Sequence, residues 1–182
     1  MPALYSVGHS TLSLQEFVSR LRGHAITQIA DVRRHPVSRR QPHFSRPELA
    51  PALAAKDIAY RWFADLGGMR QPQGQARHAA WTDPALQGYA DHMDSPEFAT
   101  ACGALQEWAR TGATAVLCAE RDPLQCHRQL LADALTASGW EVWHIVSADA
   151  PRRHVPPPFA VFEPPGRVHY PAAIQASLFG KP

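Results

Sequence analysis

The sequence predicts an α/β fold: a single three-layer domain with a largely parallel, about five-stranded sheet and a proline-rich C-terminal arm. Three observations lead there. Short apolar runs alternate with segments of helical periodicity, the pattern of β and α elements that builds parallel sheets. The stretch from Ala115 to Ser147 reads as a complete βαβ unit. Periodicity then vanishes, and seven of the 17 prolines fall between Pro151 and Pro171. Residues 1–147 are therefore expected to form the domain and residues 148–182 an extended tail, with Phe159, Val161 and Phe162 available to anchor it to the domain.

The elements follow in order. Leu4 to Val7 is a first strand, ending in Gly8-His9-Ser10. Ser13 and Glu16 have capping-box spacing, and Leu14, Phe17, Val18 and Leu21 form a stripe, so a helix runs from about Leu14 to Arg22. Ile26 to Val32 is the second strand. A second capping box, Ser45 to Glu48, opens a helix to about Ala55, and Ile58 to Phe63 is the third strand. After Leu66-Gly67-Gly68 comes a polar loop to about Trp81, long enough to be functional or disordered. Helical periodicity resumes from Ala85 to His92. Ser95-Pro96-Glu97 starts another helix to Arg110, with Phe98, Ala101, Leu105 and Trp108 on its buried face. Ala115 to Cys118 is a fourth strand buried on both faces. Asp122-Pro123 then reads as a helix start, with Leu124, Leu131 and Leu135 on one face and Gly139 as the stop. Val142 to Val146 is the fifth strand.

Hydrophobic residues at 45% and charged ones at 19% describe a soluble globular protein of one-domain size. No apolar run is long enough to span a membrane and no signal-peptide pattern opens the chain, so the expected location is cytoplasmic. Three cysteines, Cys102, Cys118 and Cys126, suit a reducing compartment. Net charge is only +2, but 16 of the 18 basic residues are arginine, Lys56 and Lys181 being the exceptions. Base composition of the genome gives such a bias, and so does phosphate recognition by the arginine fork.

Candidate site residues cluster at strand ends. Gly8-His9-Ser10, Asp31-Val32-Arg33, Gly67-Gly68 and Cys118-Ala119-Glu120 each follow one of the first four strands, and open parallel sheets bind ligands at that edge. Cys118, Glu120, Arg121, Asp122, Cys126, His127 and Arg128 fall together after the fourth strand. Between Asp31 and Glu48 there is no acid, but there are Arg33, Arg34, His35, Arg39, Arg40, His43 and Arg46. Such a loop is either a solvated surface or a phosphate-binding one.

The motifs just quoted resemble, in order, a bacterial family of unknown function, the domain of unknown function 488. The matching residues are Gly8 to Ser10, Asp31 to Arg33, Pro36, Ser38 to Arg40, Pro42 to Phe44, Leu66 to Gly68 and Cys118 to Arg128. The resemblance spans roughly Tyr5 to Val146 and implies a fold rather than an activity. A weaker resemblance is to rhodanese-like domains, which also carry an Asp-Val-Arg and a cysteine ending a later strand. The pattern breaks after Cys118, where Glu120, Asp122 and Pro123 replace a loop of inward N–H groups and disfavour the Cys118 thiolate. Gln175-Ala176-Ser177-Leu178-Phe179 is similar to the peptides that dock bacterial proteins on the DNA sliding clamp. There Gln175 supplies polar bonds while Leu178 and Phe179 fill an apolar pocket.

Three functions accommodate these residues. In the first, the protein is a hydrolase acting on a nucleotide or nucleic acid, with Asp31, Glu120 and His127 in acid–base roles. Phosphate would then be held by His9, Ser10, Arg33, Arg39, Arg40, His43 and Arg128. In the second, the same arginines bind DNA, RNA or a nucleotide without chemistry, and the tail recruits the protein to the clamp. The third is a rhodanese-like enzyme using the thiol of Cys118 or Cys126. Glycine loops for nucleotide cofactors are absent. A zinc site from Cys118, Cys126 and His127 lacks a fourth ligand and a usual spacing, so no metal or other cofactor is expected.

Overall fold

Side chains of the parallel strands alternate between two apolar cores, and this alternation makes the three layers. Leu4, Ala30, Val116 and Val142 face one core; Val7, Ile29, Ala115, Leu117 and Ile145 face the other. In this computed structural model, residues 2–163 and 166–172 are described. The strands are β1 (Ala3–Gly8), β2 (Gln28–Asp31), β3 (Ala59–Trp62), β4 (Thr114–Cys118) and β5 (Glu141–Ile145). A short sixth strand, β6 (Arg152–Arg153), pairs antiparallel with β5, and the sheet order is β3-β2-β4-β1-β5-β6. A separate hairpin joins β7 (Val161–Glu163) to β8 (Arg167–His169).

Helices α1 (Leu14–Gly23) and α2 (Arg46–Ala54) cover one face through Phe17, Val18, Leu21, Leu49 and Leu53. Helices α3 (Pro84–Met93), α4 (Pro96–Ala109) and α5 (Arg128–Ala137) cover the other through Tyr89, Phe98, Leu105, Leu131 and Leu135. The Ser13–Glu16 capping box forms as the spacing predicts. Among the described residues, no helix is long and apolar enough to cross a membrane.

The sheet order positions the site. Neighbouring strands β1 and β4 send their chains to opposite faces, β1 into α1 and β4 into α5, so a crevice opens between their carboxyl ends. Two further backbone bonds, His9 N–H to the Cys118 carbonyl (3.0 Å) and Ser10 N–H to the Ala119 carbonyl (2.8 Å), carry the pairing past the strands. Gly8 is required here, because an added Cβ would collide with the Glu120 carbonyl oxygen.

Three expectations need correction. The helix predicted from Asp122-Pro123 begins only at Arg128. Asp122 caps a single 3-10 turn over Pro123–Gln125, Cys126 is extended (φ −144°, ψ 149°), and Leu124 is exposed rather than packed on the sheet. A cap followed by proline is satisfied by one turn as well as by a helix, and the extended Cys126 ends that turn. Ser45 does precede α2, but its side chain makes no cap; it accepts from the Ser38 N–H (3.0 Å) instead.

The described part of the proline-rich segment lies against the domain as far as Tyr170; Phe159 packs on the core, while Val161 and Phe162 are exposed. The His154 N–H donates to the Val142 carbonyl, and His154 Nε2 donates to Asp133 Oδ1 (2.7 Å). The Tyr170 hydroxyl donates to Asp133 Oδ2 (2.7 Å), and Val168 and Tyr170 join the core beneath α5. Gln175, Leu178 and Phe179 lie outside the described residues.

Candidate active site

The sequence brings two kinds of polar group to the crevice: a set bonded among themselves beneath it and a set that faces it. Asp31 belongs to the first. It is fully buried and accepts from Arg33 Nε (2.8 Å) and Nη2 (2.5 Å), from the Arg33 backbone N–H, and from the Tyr60 hydroxyl (2.6 Å). Arg33 Nη1 donates to the Phe44 carbonyl (2.8 Å) and lies 3.4 Å from His9 Nε2. Burial and the Asp31 charge raise the Tyr60 pKa. Every nitrogen of this guanidinium has a protein partner, so Arg33 pins the arginine-rich loop to β2. Arg33 also lines the cavity, but its bonds leave a phosphate little to take, and the bonds Asp31 accepts leave it no face for a substrate.

Arg128 is the second internal cation. It is 1% exposed; Nη1 donates to Ser6 Oγ (3.0 Å), and Nη2 to the carbonyls of Glu120 and Arg121. It therefore folds the loop after β4 and does not reach the cavity wall. Ser10 (φ 46°) makes the left-handed turn after β1, and His43 Nε2 donates to the Leu12 carbonyl (3.1 Å); neither lines the cavity. Arg39 and Arg40 are exposed on the loop outside it.

The facing set surrounds a cavity of about 430 Å³ whose wall includes His9, Arg34, Cys118, Glu120, Cys126 and His127. His9 stacks on Phe44 (centroids 4.2 Å) and donates from Nδ1 to the Ser10 carbonyl (3.0 Å). Burial, with the Arg33 charge beside it, lowers its pKa to about 4, so it is a neutral group at pH 7. Glu120 is exposed on the wall, and its carboxylate makes no hydrogen bond among the described residues.

Cys118, Cys126 and His127 converge. One donor atom from each lies within 4.8 Å of the others, and no other such group of three occurs among the described residues. His127 Nε2 donates to the Val32 carbonyl (3.0 Å), which leaves Nδ1 unprotonated and 3.6 Å from Cys126 Sγ. Tyr89 packs against the imidazole (4.9 Å), and Gly68 sits over Nδ1, where a Cβ would stand 2.6 Å away. The two thiols diverge in acidity. A hydrogen bond from Cys118, with the Arg128 charge nearby, pulls the Cys126 thiol well below the ordinary range against the effect of burial. The same bond and burial push Cys118 well above it. The acidic loop was expected to disfavour the Cys118 thiolate; Cys118 is the weaker acid, but through Cys126 and burial, with neither Glu120 nor Asp122 contributing. The acidity of Cys126 was not legible in sequence, because the approach of the two sulfurs depends on the reversal of residues 119–126.

Cavity residues that the sequence did not mark as site candidates include Val37, Met69, Asp83, Ala85, Leu86 and Gln125. The long loop after Gly68 was the available signal, since Met69 (φ 58°, 76% exposed) begins it and α3 ends it. A larger cavity of about 670 Å³, between α4 and β8, lies away from the sheet edge.

A family model described as Domain of unknown function DUF488 matches residues 13–135. No curated protein and no solved structure matches the chain.

Proposed function

The chain belongs to the Domain of unknown function DUF488 family, and from that premise we propose that it is a hydrolase acting on a nucleotide-sized molecule at the carboxyl edge of the sheet. Its reactive centre is the Cys118–Cys126–His127 cluster, with Glu120 as the proton-transfer group. One observation carries this reading: the three donors converge on the wall of a cavity of about 430 Å³ at the crevice between β1 and β4. That volume falls in the range of small-molecule sites. Glu120, exposed and without a hydrogen-bond partner among the described residues, is the carboxylate on this wall best placed to take or give a proton.

Of the arginines first expected to hold phosphate, Arg39 and Arg40 keep that role in this proposal and Arg34 joins them, while Arg33 and Arg128 are bonded within the protein. Arg34 lines the cavity, and the exposed Arg39 and Arg40 stand on the same loop outside it. They support a substrate that bears phosphate, either free or as one nucleotide presented by a strand. Recruitment to a sliding clamp through Gln175, Leu178 and Phe179 is a separate proposal. A Leu178→Ala, Phe179→Ala variant that binds a bacterial clamp as well as the parent would remove it.

The test is turnover of a panel of nucleoside mono-, di- and triphosphates and short oligonucleotides. Cys126→Ala, His127→Ala and Glu120→Gln are each expected to abolish hydrolysis while the fold persists. Hydrolysis unchanged in all three variants would place the chemistry elsewhere. Sulfur transfer from thiosulfate that requires Cys126, with no hydrolysis of the panel, would replace this reading by the rhodanese-like one.

A further inference from the structure

We propose that Cys118, Cys126 and His127 form a three-ligand site for a divalent ion of the zinc class, with its fourth position open to the cavity. The inference rests on the reading that this cluster is the cavity's reactive centre.

The donors are two sulfurs and an imidazole nitrogen, a set that selects zinc-like ions over magnesium or calcium. Their separations are close to those a tetrahedral ion imposes. With Zn–S of about 2.3 Å and Zn–N of about 2.05 Å, a sulfur–nitrogen edge is about 3.6 Å and a sulfur–sulfur edge about 3.8 Å. Cys126 Sγ and His127 Nδ1 already stand 3.6 Å apart. The other two edges, each within 4.8 Å, need to close by no more than about 1.2 Å.

The imidazole is prepared for the same task. Its Nε2–H is held by the Val32 carbonyl at 3.0 Å, the outer-shell bond that fixes a ligating histidine and leaves the other nitrogen's lone pair free. Tyr89 packs against the ring, and Gly68 allows the close approach beside Nδ1. The unusual Cys-x7-Cys-His spacing has a structural reason: one ligand ends β4 and two precede α5, so the strand-to-helix turn replaces a zinc knuckle. Binding displaces the proton held by the Cys118 thiol, M²⁺ + RS⁻ + RSH → M(SR)₂ + H⁺, so affinity rises with pH. Three protein ligands with an open fourth position are the pattern of catalytic rather than structural zinc. A water there would face the cavity wall that carries Glu120.

The experiment is a titration of the reduced, chelator-treated, full-length protein with Co²⁺, followed by Zn²⁺. One equivalent of Co²⁺ is expected to give sulfur-to-cobalt charge-transfer absorption and visible tetrahedral bands. Zn²⁺ should bleach both, and Mg²⁺ should leave them unchanged. His127→Gln should weaken binding by more than about 100-fold, the upper end of the effect of losing only an outer-shell partner. A Cys118→Ser, Cys126→Ser variant should show no charge-transfer band; if it does not fold, the alkylated parent, checked by circular dichroism, takes its place. Absence of the band in the parent, or its persistence after the thiols are blocked, overturns the proposal. A protein that binds no ion yet loses hydrolysis in Cys126→Ala and Glu120→Gln keeps the cavity reading and loses the metal. One that binds the ion while those variants hydrolyse normally keeps the metal and loses the reading.

Discussion

Acid should loosen this protein through one buried histidine on β5. His144 is 5% exposed; its Nε2 lies 3.0 Å from His154 Nδ1, and its Nδ1 has no partner among the described residues. His154 in turn donates to Asp133. Burial, with His154 and Arg128 adding like charge, lowers the His144 pKa from 6.5 to about 3. The unfolded chain therefore binds a proton between pH 6.5 and about 3 that the native state refuses. Stability is fully present above pH 6.5 and is lost as pH falls through that window. At pH 4.5, two units below the unfolded value, the loss is about 3 kcal/mol at 1.36 kcal/mol per unit. Urea unfolding at pH 7.5 and 4.5 measures it, with His144→Gln as the reference because glutamine keeps a donor and does not titrate. The parent is expected to lose about 3 kcal/mol more than the variant between the two pH values. Equal losses in both would mean that the native state accommodates a charged His144, and would refute the reasoning.

Other outcomes follow from the same contacts. Gly68→Ala places a Cβ 2.6 Å from His127 Nδ1, so it should cost about 1–3 kcal/mol in unfolding free energy and disturb the cluster; an unchanged melting curve would show that the imidazole moves freely. Asp31→Asn strips the carboxylate from buried Arg33 and should destabilise by about 3–5 kcal/mol, whereas exposed Glu120→Gln should stay within about 0.5 kcal/mol of the parent. Tyr170→Phe leaves one Asp133 oxygen without its donor and should cost about 1–3 kcal/mol by thermal or urea unfolding; no loss would mean the strap over α5 contributes little. Arg39→Ala with Arg40→Ala should leave stability unchanged and flatten the salt dependence of any oligonucleotide binding.

Much of the fold was legible because it is written in short-range pattern. Two-residue alternation in Ile29-Ala30 and Ala115-Val116-Leu117 places each side chain in its core, and Ser13 with Glu16 fixes the start of α1. The carboxyl edge was legible too, from the marked residues after the first four strands. Charge commitment was not. Asp31 and Arg33 look like two site groups in sequence, but two residues apart at a strand's end they close on each other. Arg128 reads as a phosphate ligand until its donors are seen on Ser6 and on the loop carbonyls. The packing of the tail depends on Asp133 meeting His154 and Tyr170, 21 and 37 residues away, and no local periodicity encodes such pairs. The same holds for Cys118 and Cys126, whose meeting needs the extended turn that replaces the first part of the predicted helix.

If Cys118, Cys126 and His127 form one reactive centre on the cavity, the three thiols of the protein differ sharply in their rates of alkylation. Reduced, chelator-treated protein is exposed to limiting iodoacetamide at neutral pH and the adducts are located by mass spectrometry. All three thiols are buried, but Cys126 lies on the cavity wall and is the strongest acid, so it is expected to be labelled first, with Cys118 and Cys102 left behind, and His127→Ala should slow the reaction. Labelling of Cys102 as fast as Cys126, or of all three thiols only after unfolding, would contradict the account.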